Sequence, residues 1–146
     1  LGRINVTGIA IVLPVFAQVV LTFVVLLMMG QARAAAAKDR GKGRGHEMAM
    51  GTYDFGEEAT KRANNFSNQF EVPVLFYTAA AFALLTRTAD GLMVSLAWAF
   101  VALRLVHAAI HIGPNRVQPR ALVYFLGVLV VMAMWVLIVL RAGVGA

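Results

Sequence analysis

The sequence predicts an all-α integral membrane protein, a bundle of four helices that cross the bilayer. Three observations carry this. Hydrophobic residues make up 60% of the 146 and charged residues only 14%, with a mean hydropathy of +0.76. A soluble domain of this composition would expose too much apolar surface, so lipid is the better solvent. Apolar runs reach or exceed the ~20 residues needed to span a membrane, and the basic residues cluster between them. A single domain over 1–146 is expected, with helices at about 5–32, 55–86, 91–112 and 119–141 and a basic loop at about 33–54.

The first helix is carried by a run without charge between Arg3 and Arg33. That run is too long for a signal-peptide core and no small-residue cleavage pattern follows it, so it is expected to stay as an anchor. Pro14 is placed to kink it. Gln18 and Thr22, one turn apart, suit interhelical hydrogen bonds. The loop that follows holds Arg33, Lys38, Arg40, Lys42 and Arg44, and the glycines at 41, 43 and 45 argue against a helix there. No GK[ST] pattern accompanies those glycines, so a phosphate-binding loop is not expected.

The second helix opens on a polar stretch with Glu57 and Glu58 in its first turn, favourable to the helix dipole. It turns apolar near Glu71 and meets Pro73, which should kink it just beyond Glu71. The turn at 86–91 is short, so the second and third segments should be antiparallel neighbours. Pro119 suits the first turn of the fourth helix. Four spans put both termini on one side. All the basic residues except Arg3, Arg87 and Arg141 fall on the other, so the loop is expected in the cytoplasm and the termini outside. A net charge of +6 distributed this way fits anionic lipid rather than nucleic acid. Without cysteine, disulfides, thiolate metal sites and Cys nucleophiles are excluded.

The polar residues inside the apolar segments hold the functional information. Asn64, Asn68 and Glu71 recur at i, i+4 and i+7, Arg104, His107 and His111 at i, i+3 and i+7, and Arg120 and Tyr124 at i, i+4. Each set shares one helical face. A carboxylate at the edge of an apolar span is costly unless a partner meets it, and Arg104 could serve Glu71 as a purely structural partner. His107 and His111 could bind a metal or haem, although an arginine one turn away would repel a cation. Tyr124 could be an interfacial aromatic. Against these readings stands the convergence of arginines, amides, imidazoles and a phenol with one carboxylate at one end of the helices. That set suits a small peptide with carboxylates and an ammonium, and an arginine in a low-dielectric site could stabilise a thiolate.

Motif by motif, the chain resembles the MAPEG family, the membrane-associated proteins in eicosanoid and glutathione metabolism. Gly30-Gln31-Ala32-Arg33 is similar to a GQxR at the end of the first helix. Asn68-Gln69-Phe70-Glu71 is similar to the NxxE of the second, with proline close behind. The stretch from Arg104 through His107 to His111 resembles RxxHxxxY with histidine at the tyrosine position. Arg120 and Tyr124 fall where the family carries its thiolate-stabilising arginine and a tyrosine one turn later.

The resemblance implies a homotrimer of four-helix subunits with glutathione bound between neighbours near the cytoplasmic face. It further implies that Arg33, Asn68, Glu71, Arg104, His107, His111 and Tyr124 bind or orient glutathione and that Arg120 holds its thiolate. The expected activity is that of a membrane glutathione transferase or peroxidase acting on lipophilic electrophiles or hydroperoxides. The other expectation is a non-catalytic accessory subunit of a larger membrane assembly that keeps the bundle as a scaffold. Ala121 replaces a serine carried by prostaglandin E synthases, His111 replaces a tyrosine, and Asn64 stands where an arginine is common. Prostaglandin isomerisation is therefore not implied.

Overall fold

The computed structural model describes residues 9–39 and 45–144. Arg3, Arg40, Lys42, Arg44, the glycines at 41 and 43 and the expected start of the first helix near residue 5 lie outside the described residues. Helices dominate, and there is no strand among the described residues.

Helix α1 runs over Val12–Asp39, a 28-residue rod. Residues 9 and 10 are helical and Ile11 is a turn. This is where a break belongs, because Pro14 has no N–H for the carbonyl four residues back and its ring crowds that carbonyl. At its other end α1 passes the expected boundary near residue 32, since Ala34 to Ala37 are strong helix formers and carry it through the first basic residues. The loop also contains a correction. Gly45 opens a short exposed helix, α2, at Gly45–Ala49.

The second segment is more deeply interrupted than a single kinked helix. Helix α3 covers Glu57–Ser67, a 3₁₀ turn covers Asn68–Phe70, and α4 resumes at Val72–Leu85. Glu71 between them leaves the helical region with φ −92° and ψ −104°. Pro73 again explains the place, because it cannot donate to the carbonyl of residue 69 and it suits the first turn of the helix that resumes at Val72. The break therefore falls before the proline rather than beyond Glu71. At 14 residues, α4 is about 21 Å long, less than the ~30 Å hydrocarbon thickness.

Helix α5 spans Gly91–Ile112 and begins with Asp90 as N-cap, its carboxylate accepting from the Met93 N–H at 3.0 Å. Helix α6 spans Val117–Val144, which places Pro119 in its first turn. Three helices, α1, α5 and α6, are long and apolar enough to cross a membrane.

Helices α5 and α6 pack most extensively, α1 lies along α3 and α5, and α4 packs on α6. The core centres on Phe76 and Phe100, whose rings stack with centroids 4.5 Å apart, with Ile11, Met93 and Met134 fully buried around them. The outer faces carry exposed Leu13, Phe16, Phe23 and Leu27 on α1 and Leu122, Phe125, Leu129 and Val136 on α6. Lipid is the solvent that accepts such a surface, and within it packing and interhelical hydrogen bonds hold helices together. One such bond is buried. Gln18 Nε2 donates to Gln69 Oε1 at 3.0 Å, and Gln69 Nε2 turns back to the Asn65 carbonyl at 3.3 Å. Thr22, expected to share that role, also donates to the Gln18 carbonyl of its own helix.

Candidate functional site

The break at Asn68–Glu71, the end of α5 and the start of α6 come together. Arg104 is 2% exposed, and its Nη2 donates to the Asn68 carbonyl at 3.0 Å. The 3₁₀ turn and Glu71 interrupt the α-helical ladder here, and a carbonyl oxygen has a second lone pair for such a donor. Glu71 does not pair with Arg104. Its Oε2 accepts from the Tyr124 hydroxyl at 3.3 Å, and among the described residues no ion pair joins the two charges. The expected single face of Asn64, Asn68 and Glu71 is also lost at the break. Asn64 is exposed, and the Asn68 amide donates to the Asn64 carbonyl at 2.9 Å.

Arg120 sits at the mouth of α6. Its Nη1 donates to Asn115 Oδ1 at 2.6 Å and lies 3.5 Å from His111 Nε2. The rings of His107 and His111 have centroids 5.8 Å apart, and His107 stands the same distance from Tyr124. A cavity of about 220 Å³ opens among Asn68, His107, Arg120, Ala121, Tyr124 and Phe125. Near it, Arg104 Nε, both ring nitrogens of His107 and Nδ1 of His111 are buried without a close, well-aligned hydrogen-bond partner among the described residues. Buried polar atoms normally find partners, and among the described residues four of the eight side-chain atoms without one belong to this cluster. Two guanidinium groups against one carboxylate give it an excess of positive charge.

Seven of the eight residues singled out in the sequence thus lie in one neighbourhood. Arg33 is held elsewhere, with its guanidinium 5.3 Å from the centroid of the Phe55 ring. Among the described residues no three His, Cys, Asp or Glu side chains are grouped to hold a metal ion. Sequence reasoning missed Asn115, Asn65 and Gln69 as partners. Gln69 and Asn65 are one turn apart, a pairing the spacing could have revealed, whereas Asn115 depends on a turn conformation that no periodicity reports.

A helical membrane protein with a charged, partly unpaired cluster at one end of its helices is the class that these features define. The model of the MAPEG family matches residues 11–140. The chain belongs to the MAPEG family. No curated protein and no solved structure matches it.

Proposed function

We propose that this protein is a membrane glutathione transferase or peroxidase, working as a homotrimer of four-helix subunits with its site at the cytoplasmic face. The observation that carries the reading is the open state of the cluster, in which Arg104 and Glu71 bond Asn68 and Tyr124 of the cavity lining rather than each other, and several buried polar atoms lack close partners. Glutathione offers two carboxylates, an ammonium and a thiol, and each has a counterpart. Glu71 takes the ammonium. Arg104, His107, His111 and Tyr124 receive carboxylate and amide oxygens, and Asn68 contributes through the carbonyl that fixes Arg104. Arg120 holds the thiolate, a form of electrostatic preorganisation that is commonly among the larger catalytic contributions.

The cavity within one subunit is smaller than the ~300 Å³ at which small-molecule pockets usually begin. A tripeptide therefore needs a further wall, which a neighbouring subunit would supply, and Arg33 on α1 would reach the site from there. The lipophilic substrate has an approach from the membrane. A wholly apolar groove of about 270 Å³, lined by residues that include Val72, Leu75, Val128 and Trp135, begins next to Glu71 and one turn along α6 from Tyr124. In conjugation the thiolate sulfur forms a bond to the electrophilic carbon and the leaving group departs with its electron pair. With a hydroperoxide the sulfur attacks the terminal oxygen and the O–O bond breaks, releasing the alcohol after protonation. The sulfur is left as a sulfenic acid, and a second glutathione thiol attacks that sulfur, forming the disulfide and releasing the oxygen as water.

The test is a glutathione titration of detergent-purified protein, followed by thiolate absorbance in the ultraviolet, with Arg120→Ala alongside. A saturable signal in the wild type that disappears in the variant is expected. Its absence in both would leave the accessory-subunit role as the better account of the fold.

A further inference from the structure

We infer that Asn115 is a positioning residue for Arg120, an inference that rests on the reading of Arg120 as the thiolate-holding group. Asn115 lies in the turn between α5 and α6 in the left-handed region, with φ 48°, a conformation that asparagine tolerates better than most residues. Its N–H donates to the Ile110 carbonyl at 2.8 Å and ties the turn to the end of α5. Backbone conformation and anchorage together fix where the side chain points. Its Oδ1 meets Arg120 Nη1 at 2.6 Å, at the short end of hydrogen-bond distances.

The second neighbour of that nitrogen is His111 Nε2, at 3.5 Å. That contact lies at the outer limit of hydrogen-bond distance and counts as a hydrogen bond only with Nε2 unprotonated, because a guanidinium can only donate. The acceptor that holds Nη1 is therefore Asn115 Oδ1 from the turn, with His111 of α5 beside it. Among the described residues no acceptor engages Nε or Nη2 of Arg120, and those donors remain available to a ligand. An unclamped arginine would sample many rotamers and lose that aim. The clamp fixes the guanidinium before the thiolate arrives, which is the condition for preorganised stabilisation.

The test is a double-mutant cycle read on the bound thiol. Asn115→Gly keeps the left-handed turn available and removes only the acceptor. The full-length protein in detergent is saturated with glutathione, and the pH at which thiolate absorbance appears is measured for wild type, Asn115→Gly, Arg120→Ala and the double variant. The expected result is a rise of about one pH unit or more in Asn115→Gly, a roughly tenfold loss of thiolate at neutral pH. No further rise should occur when the same change is made in the Arg120→Ala background. A role confined to shaping the turn would leave the thiol titration at its wild-type position, and that result overturns the inference, as does an equal shift in both backgrounds. If Arg120→Ala itself titrates as wild type, the thiolate assignment fails and the inference falls with it. A wild-type Arg120→Ala difference alongside an unaffected Asn115→Gly removes the inference alone.

Discussion

The two ends of helix α5 each bring an acid and an arginine together, and they treat them differently. At its start, Asp90 caps the helix and also meets Arg141 of α6 at 3.0 Å, while Arg141 donates to the Thr88 carbonyl at 3.4 Å. Each charge has a protein partner, and the Met93 N–H, followed by the Arg141 guanidinium, holds the Asp90 carboxyl below the usual carboxylate range. Toward its other end, Arg104 donates to a backbone carbonyl and Glu71 accepts from a phenol, so the opposite charges stay apart. The first arrangement closes a turn. The second leaves charges whose natural complement is a ligand carrying both signs. Residue type alone does not reveal which acid pairs with which arginine in this protein; the fold decides it.

Substitutions should pull the two ends apart in measurable ways. Arg104→Met is expected to have the largest effect on glutathione affinity, roughly tenfold to a hundredfold, the weight of a hydrogen bond to a charged group. Its melting temperature should fall as well, because the Asn68 carbonyl loses its side-chain donor, a loss of about 1–3 kcal/mol. Calorimetric titration with parallel thermal unfolding checks both. Glu71→Gln should weaken glutathione binding about tenfold, while a glutathione analogue without its amino group binds the wild type and this variant alike.

At the closed end the effects should fall on stability only. Asp90→Ala removes the cap and should cost about 1 kcal/mol, with glutathione affinity unchanged. Because the folded protein depresses the Asp90 pKa, the carboxylate's contribution is fully present above the unfolded value of about 3.9. It is lost as pH falls through the lower folded value, so unfolding curves of wild type and Asp90→Ala should converge in acid and separate toward neutrality. Arg141→Met is the mildest change. Its partly exposed pair with Asp90 should be worth less than about 1 kcal/mol, measured by denaturant unfolding in detergent.

Much of this organisation is legible in the sequence. Long apolar runs free of charge mark α1, α5 and α6, and the spacing of Arg104, His107 and His111 places them on one face, where all three are buried. Asn68, Glu71, Arg104, His107, His111, Arg120 and Tyr124 come together from the second, third and fourth segments, although the shared face expected to include Asn64 does not survive the break. The break at Glu71 is less visible, since apolar composition continues across Pro73 and only geometry shows that the proline costs the whole turn before it. The missing Glu71–Arg104 pair is a consequence, because that turn exposes a carbonyl to which Arg104 donates instead. The long reach of α1 was obscured by charge. Arg33 and Lys38 read as a loop, whereas the alanines between them keep the helix going. The clamp on Arg120 is the least legible feature, since it needs a left-handed residue in a turn to meet a side chain five positions later.

On the proposed reading, the open end of α5 binds a ligand and the closed end does not. Equilibrium binding of glutathione to the purified full-length protein in detergent, compared among wild type, Glu71→Gln and Asp90→Asn, tests it most directly. The account predicts saturable binding to the wild type, equal binding to Asp90→Asn, and binding about tenfold weaker to Glu71→Gln. Saturable binding that Glu71→Gln leaves untouched, or no saturable binding to the wild type, would contradict it.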